Sequence, residues 1–267
     1  MAVKRPSASR AHRSESRGVL AGRRRPGESR VRTLNRLREF AVTLVGGIFG
    51  VGLLVNEVIA AIHDPSGVAN HALAVVRIST VLLLLTAWFY GTGIELDAFD
   101  DLNGSDVDLV PPLPRTRALM VGAAAVALGG MALSYVSVLL FVWLFIVLKT
   151  VELMSSWPLH RTVREATDVA AARFVSDKSV TEAVSAVRLY YLGRPWVVVA
   201  AGAILAATIC LAAAAYSTAT ADPFLGLSGS AVASLGLLLI VVVQEFITFH
   251  WRSSYGHDLD IALADAG

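Results

Sequence analysis

Apolar residues in this chain are gathered into long blocks, and the polar residues lie between the blocks, not interleaved at helical or strand spacing. The first block, Phe40–Ile62, has 23 residues, enough at about 1.5 Å per residue to cross about 30 Å of hydrocarbon. A second, Ala72–Tyr90, follows a polar turn that contains Asp64, Pro65 and Gly67. The region Ala118–Trp157 would make a single helix near 60 Å, about twice the hydrocarbon thickness. It divides best at Ser134–Ser137, into Ala118–Leu133 and Val138–Leu153. Pro195–Tyr216 and Leu227–His250 complete the series. The pattern predicts an all-α, polytopic bundle of six spans.

The segments between blocks carry their own signals. Residues 91–117 read as an acidic loop that ends in Pro111-Pro112-Leu113-Pro114-Arg115. Residues 155–194 hold two Ser/Thr-x-x-Glu spacings, Thr162 with Glu165 and Ser179 with Glu182, each a capping-box signature for a helix start. Val180, Val184, Val187 and Tyr191 fall on one helical face, and Gly193 then Pro195 supply a stop. This predicts an amphipathic helical pair on the membrane surface between spans 4 and 5. Residues 1–39, rich in Arg, Ser, Pro and Gly, read as a basic tail with too little apolar surface to fold. Residues 252–267 read as a short acidic tail.

Charge orients the bundle. Of the 267 residues 55% are hydrophobic, and the formal charge of +2 conceals 12 Lys and Arg against three acids within residues 1–39. With the N-terminus inside, the cytoplasmic segments collect 12, 2, 6 and 1 basic residues, and the three external turns none. That is the positive-inside distribution, with both termini cytoplasmic. Treating Ala118–Trp157 as one crossing puts the six basic residues of 155–194 outside, against the rule. Asn56 and Glu57 within the first block argue against a cleaved signal peptide. Arg outnumbers Lys 20 to 3, a bias of GC-rich genomes, which points to a bacterial plasma (inner) membrane. The Arg-rich tail is expected to contact anionic lipids in preference to nucleic acid. The single cysteine, Cys210, excludes an intrachain disulfide.

Small residues mark the expected contact faces. Gly46 and Gly50 form a GxxxG, Ala125 and Gly129 repeat the spacing, and the fifth block is largely alanine. A homo-oligomer or a membrane-protein partner is compatible with such faces.

Five ionisable residues fall inside the blocks: Glu57, Arg77, Lys149, Glu152 and Glu245. Each costs about 2.5–3.5 kcal/mol at the centre of an isolated span and so requires a partner or water. Glu57 and Arg77 reach similar depth in an antiparallel hairpin and are expected to form an outer ion pair. Lys149 and Glu152, spaced i, i+3, share a depth with Gln244 and Glu245 and are expected to form a charge cluster toward the cytoplasm. Three acids against two bases leave one carboxylate unmatched, to be hydrated or protonated.

Chemistry-bearing motifs are sparse. Asp97, Asp100 and Asp101, in the acidic loop, offer hard oxygen ligands for Mg²⁺, though the spacing fails the EF-hand pattern. There is no P-loop, His-Glu-x-x-His or Gly-x-Ser-x-Gly, and the histidines sit at span ends, unsuited to a transmembrane haem. No cofactor is expected. Three functions remain: a channel or transporter component using intramembrane carboxylates, a non-enzymatic scaffold or assembly subunit, and a Mg²⁺-dependent membrane enzyme built on the acidic loop. The first two stand ahead of the enzyme.

Overall fold

The computed structural model describes residues 39–40, 42–64, 67–104, 115–173, 178–193, 196–219 and 227–266, with backbone alone for 45, 48–49, 90–104, 115–118, 159, 162, 173, 196, 217–219, 257, 260 and 262–266. The basic tail at 1–38 and its expected lipid contacts lie outside the described residues. All the described elements are helical: a π-helical segment Val42–Val51, then α1 (Gly52–His63), α2 (Val68–Gly104), α3 (Arg115–Leu133), α4 (Val138–Arg173), α5 (Lys178–Leu192), α6 (Trp196–Ala219) and α7 (Gly229–Ala266).

Among the described residues four helical stretches are long and apolar enough to cross a membrane: Val68–Phe89, Val138–Ala172, Lys178–Tyr216 and Gly229–Gly256. Gly52–His63 and Leu119–Leu133 are shorter apolar helices. The first of these continues the π-helical segment, so one helical rod runs from Val42 to His63 with a change of winding at Gly52. The second ends where the sequence predicted a break. Ser134 N–H donates to Gly130 O at 2.9 Å, Ser137 N–H to Ser134 O at 2.9 Å, and a new helix begins at Val138. Helices α3 and α4 then pack against each other as a hairpin.

Helix α4 is the hub. It packs on α3, α5 and α6, while α7 packs on α6, α5 and α2, and α1 rests on α2 at the edge. Two hydrophobic cores result. The larger lies within the bundle, around Leu84, Leu128, Met131, Phe141, Phe145 and Leu237. The smaller joins Val163 and Ala170 of α4, the buried face of α5 and Leu259 of α7. It forms a helical cap at the end of the molecule remote from the α1–α2 and α3–α4 turns, here called the cap end and the turn end.

The cap corrects several expectations. Residues 155–173 are not a separate surface helix: α4 runs 36 residues from Val138 through Pro158 without interruption. Proline cannot donate to the carbonyl four residues earlier, yet packing on both sides carries the helix past it. Thr162 and Glu165 therefore do not cap a helix start, and Glu165 instead pairs with Arg161 at 2.7 Å. Helix α5 buries Val180, Ala183, Val184, Val187, Tyr190 and Tyr191, so its apolar face meets α4 and α7 and not a lipid surface. It stops at Gly193, where an added Cβ would come within 2.1 Å of Leu189 O. The segment 252–266 is no loose tail but the last turns of α7. The backbone of 91–104 continues α2 as helix where a loop was expected.

Close approach follows small residues, with one shift. A Cβ at Gly46 would meet Leu85 Cδ2 at 3.1 Å, so the π-helical segment lies tight on α2. In α6 the buried stripe is Ala203, Ala207, Cys210 and Ala214, and a Cβ at Gly236 of α7 would come 2.8 Å from Cys210 Sγ. In α3 the most buried residues are Ala124, Leu128, Met131 and Ala132, where Ala125 and Gly129 were the predicted face.

Candidate functional site

Polar groups inside the bundle gather at two places. At the turn end, Glu57 of α1 is buried and accepts two short hydrogen bonds. His71 Nδ1 lies 2.7 Å from Glu57 Oε2, and Tyr135, in the α3–α4 turn, donates its hydroxyl to Glu57 Oε1 at 2.7 Å. The tight α1–α2 turn delivers His71 to this position. Gly67 N–H donates to Asp64 O at 3.2 Å, and a Cβ at Gly67 would crowd Asp64 Oδ2 at 2.8 Å and His71 Nε2 at 3.3 Å. Burial together with the Glu57 carboxylate pushes the Tyr135 hydroxyl up to about 12, which keeps it protonated as a donor.

The expected ion pair of Glu57 with Arg77 is corrected in its contacts. No ion pair joins them among the described residues. Arg77 is 5% exposed and senses the Glu57 charge through space, but its Nε has no hydrogen-bond partner among the described residues. His71 and Tyr135 have taken both carboxylate oxygens. Similar depth brought the two charges near each other; the shorter reach of the turn residues decided the bonds.

The second place is a cavity of about 180 Å³ where the bundle meets the cap. Lys149, Glu152, Gln244 and Glu245 all line it. Lys149 is 1% exposed and donates its Nζ to Glu152 Oε2 at 2.8 Å, with the ammonium 5.6 Å from the Phe145 ring centroid one turn earlier. Glu245 feels the charges of Lys149, Glu152 and Arg252. The Gln244 amide oxygen has no hydrogen-bond partner among the described residues.

Residues that the sequence did not place in the charge cluster complete the wall. Arg252 of α7, Ser155, Ser156 and His160 of α4, and Tyr190 and Tyr191 of α5 all line the cavity. Ser155 Oγ donates to Glu152 O at 2.8 Å and Ser156 Oγ to Leu153 O at 2.6 Å, so both serines are tied to the helix that carries Glu152. Arg252 alters the charge count. Among the described residues Glu152 and Glu245 face the cavity together with Lys149 and Arg252, so a second cation shares the space with the expected unmatched carboxylate. Spacing offered a signal: Glu245 to Arg252 is i, i+7 and Glu152 to His160 is i, i+8, each on one helical face.

Asp97, Asp100 and Asp101 lie on the backbone of α2, and their side chains lie outside the described residues. Among the described residues no group of three or more His, Cys, Asp or Glu could hold a metal ion. The class that fold and cavity define is a protein whose described residues are helical, with four helices among them fit to cross a membrane and a charged cavity at one end of the bundle. No protein-family model, no curated protein and no solved structure matches the chain.

Proposed function

We propose that the chain is a membrane transport component that moves an ion or small solute, with Glu245 and Glu152 as groups that change charge during the cycle. One observation carries the reading: an acid–base set from two helices, Lys149, Glu152, Gln244 and Glu245, opens into one cavity within the apolar bundle. Charges cost too much in hydrocarbon to persist there without a partner or water, and here Lys149 pairs with Glu152 beside a cavity. Toward the turn end the bundle core holds Leu128, Met131, Phe141 and Phe145, none more than 1% exposed. Binding at one side of a dry plug suits alternating access better than an open pore.

The topology proposed with this function has six spans, counting the Val42–His63 rod and α3 as crossings. It sets both termini and the cap in the cytoplasm of a bacterial-type plasma membrane, as the distribution of Lys and Arg favours. The tail at residues 1–38 would then meet anionic lipids.

The test is flux in liposomes containing the purified full chain, followed with an internal pH dye under imposed ion and pH gradients. We expect gradient-dependent flux that Glu245→Gln removes and whose pH profile depends on Lys149, Glu152, His160 and Arg252, the charged and titratable groups around Glu245. Flux equal to that of empty liposomes under every gradient sinks the reading. A scaffold is the second reading, favoured by the folded cap of α4, α5 and α7. It predicts a stable partner bound through the cap and no flux.

A further inference from the structure

Exposed threonines on the apolar helices satisfy their own hydroxyls. Thr43 donates to Glu39 O at 2.9 Å, and Thr86, Thr150 and Thr208 each donate to the carbonyl four residues earlier at 2.8 Å. Asn56 of α1 differs. It is exposed and makes no hydrogen bond among the described residues. Its carboxamide keeps two N–H donors and an acceptor oxygen. It lies seven positions before His63, the end of α1, about 10 Å of helix away from the turn. Hydrocarbon offers such a group no partner.

The surface around Asn56 suits a close neighbour. Gly52, one turn earlier, is exposed, and a Cβ added there would meet nothing within 4 Å. Val55, Ile59 and Ile62 are exposed. With Gly52 they recur at intervals of three, four and three, the repeat of a helix-pairing seam. Glu57, on the opposite face, is buried and bonded to His71 and Tyr135, so the seam points away from the bundle. The rod packs on α2 and α3 from one side. Gly46 of the expected GxxxG is turned inward, where a Cβ would meet Leu85 at 3.1 Å.

Asparagine is its own complement. Its amide donates and its oxygen accepts, so two copies related by a two-fold axis satisfy each other without a second residue type. A glycine one turn away lets two backbones approach until the carboxamides meet, as small residues do between membrane helices.

We propose that α1 is a homodimer interface. Gly52, Val55, Asn56, Ile59 and Ile62 of one copy pack on the same residues of a second copy, and the two Asn56 carboxamides bond to each other. The inference goes beyond transport and does not depend on it. It rests on the six-span topology, which sets α1 in lipid.

The test uses the full chain with Cys210→Ser, which leaves no other cysteine. Val55→Cys in liposomes, oxidised with copper phenanthroline, is expected to form a disulfide-linked dimer. Leu239→Cys, exposed on α7, is expected to stay monomeric. Energy transfer between labelled copies at varied protein-to-lipid ratio then reads the affinity. Asn56→Leu and Gly52→Leu should each weaken the dimer about fivefold or more, and Asn56→Gln should keep most of it. Asn56 touches nothing that the fold needs, so Asn56→Leu should leave the melting midpoint of the detergent-solubilised monomer unchanged. A chain that stays monomeric at every ratio, or a dimer whose affinity Asn56→Leu does not move, overturns the interface. Labelling of Val55→Cys by a membrane-impermeant maleimide separates the causes. Protection without a dimer overturns the pairing and keeps the topology, whereas ready labelling without a dimer overturns both. A pure chain that is monomeric, with Val55→Cys cross-linking to a different protein in cell membranes, assigns the face to a foreign partner and overturns self-pairing.

Discussion

Two polar sites in one bundle have met the same problem in opposite ways. At the turn end a carboxylate is enclosed, and every strong contact comes from protein: His71, Tyr135 and, through space, Arg77. At the cap end the acids and bases share a cavity with room for a solute. Trp88 follows Arg77 by eleven positions along α2, about 16 Å of helix, with Val81, Leu84 and Leu85 between them in one core with Phe141 and Phe145. Charge inside an apolar bundle alone therefore does not mark a functional site. What separates the two is whether the neighbours exhaust the hydrogen-bonding capacity of the charge or leave space beside it. The closed cluster is a staple between α1, α2 and the α3–α4 turn; the open one leaves a cavity beside its charges.

The largest expected effect breaks the closed side. Glu57→Leu leaves the His71 ring and the Tyr135 hydroxyl without their acceptor and strands the buried Arg77 charge. Loss of one member of a buried charged set costs about 3–5 kcal/mol, and unfolding of the purified chain in mixed micelles should show about 4 kcal/mol. The companion Glu57→Leu with Arg77→Leu should recover part of it, because the stranded charge is gone. A single-variant loss below about 1 kcal/mol would mean that water reaches Glu57 and that the contrast between the two ends is mistaken.

Next comes the plug that keeps them apart. Phe145 is fully buried and also faces the Lys149 ammonium. Phe145→Ala should cost about 3 kcal/mol, as truncated core aromatics do, and should raise passive proton leak in liposomes by opening a path between the two polar regions. The open end should be more forgiving. Lys149→Met removes the cation between Glu152 and Glu245, and the cavity can hydrate or protonate the remaining carboxylates. The expected loss at neutral pH is about 2 kcal/mol, in the range of a charged hydrogen bond. That loss should shrink as the solution is acidified, because protonated carboxylates no longer repel each other. Loss of the same size at pH 5 and pH 8 would show that Lys149 acts through packing alone.

How much of this was legible in the residues differs by level. The hairpin at Ser134–Ser137 followed from length alone, because no helix of 40 apolar residues fits one crossing. The cluster of Lys149, Glu152, Gln244 and Glu245 followed from depth, since position along a helix converts directly to height. Lateral neighbours were out of reach. Nothing in the spacing of Glu57 and Arg77 tells that Tyr135, 78 residues away in another hairpin, will take the carboxylate. The cap was hidden for a related reason. Its face, Val180 to Tyr191, has the same amphipathic pattern whether the apolar partner is lipid or the ends of α4 and α7. Capping spacings misled at Thr162, where a continuous helix already supplies the backbone acceptors that a cap would replace.

The smallest effect sharpens the comparison most finely, because it concerns one hydrogen on the closed side. Tyr135→Phe removes a donor from Glu57 but leaves His71 in place, so the expected loss is about 1 kcal/mol, the net worth of an ordinary hydrogen bond. Its pH dependence has a definite sign. The hydroxyl is pushed up to about 12 by burial and by Glu57, above the ordinary value near 10 for an unfolded tyrosine. A proton held more tightly in the folded state contributes stability that is fully present below pH 10 and is lost as pH rises through 12. The difference between wild type and Tyr135→Phe should thus be flat from pH 6 to 9 and narrow between pH 10 and 12, as read by midpoints of denaturation in detergent. A difference that instead vanishes on acidification would assign the effect to Glu57 protonation. The turn-end cluster would then be a titrating site, with the same claim to function as the cavity.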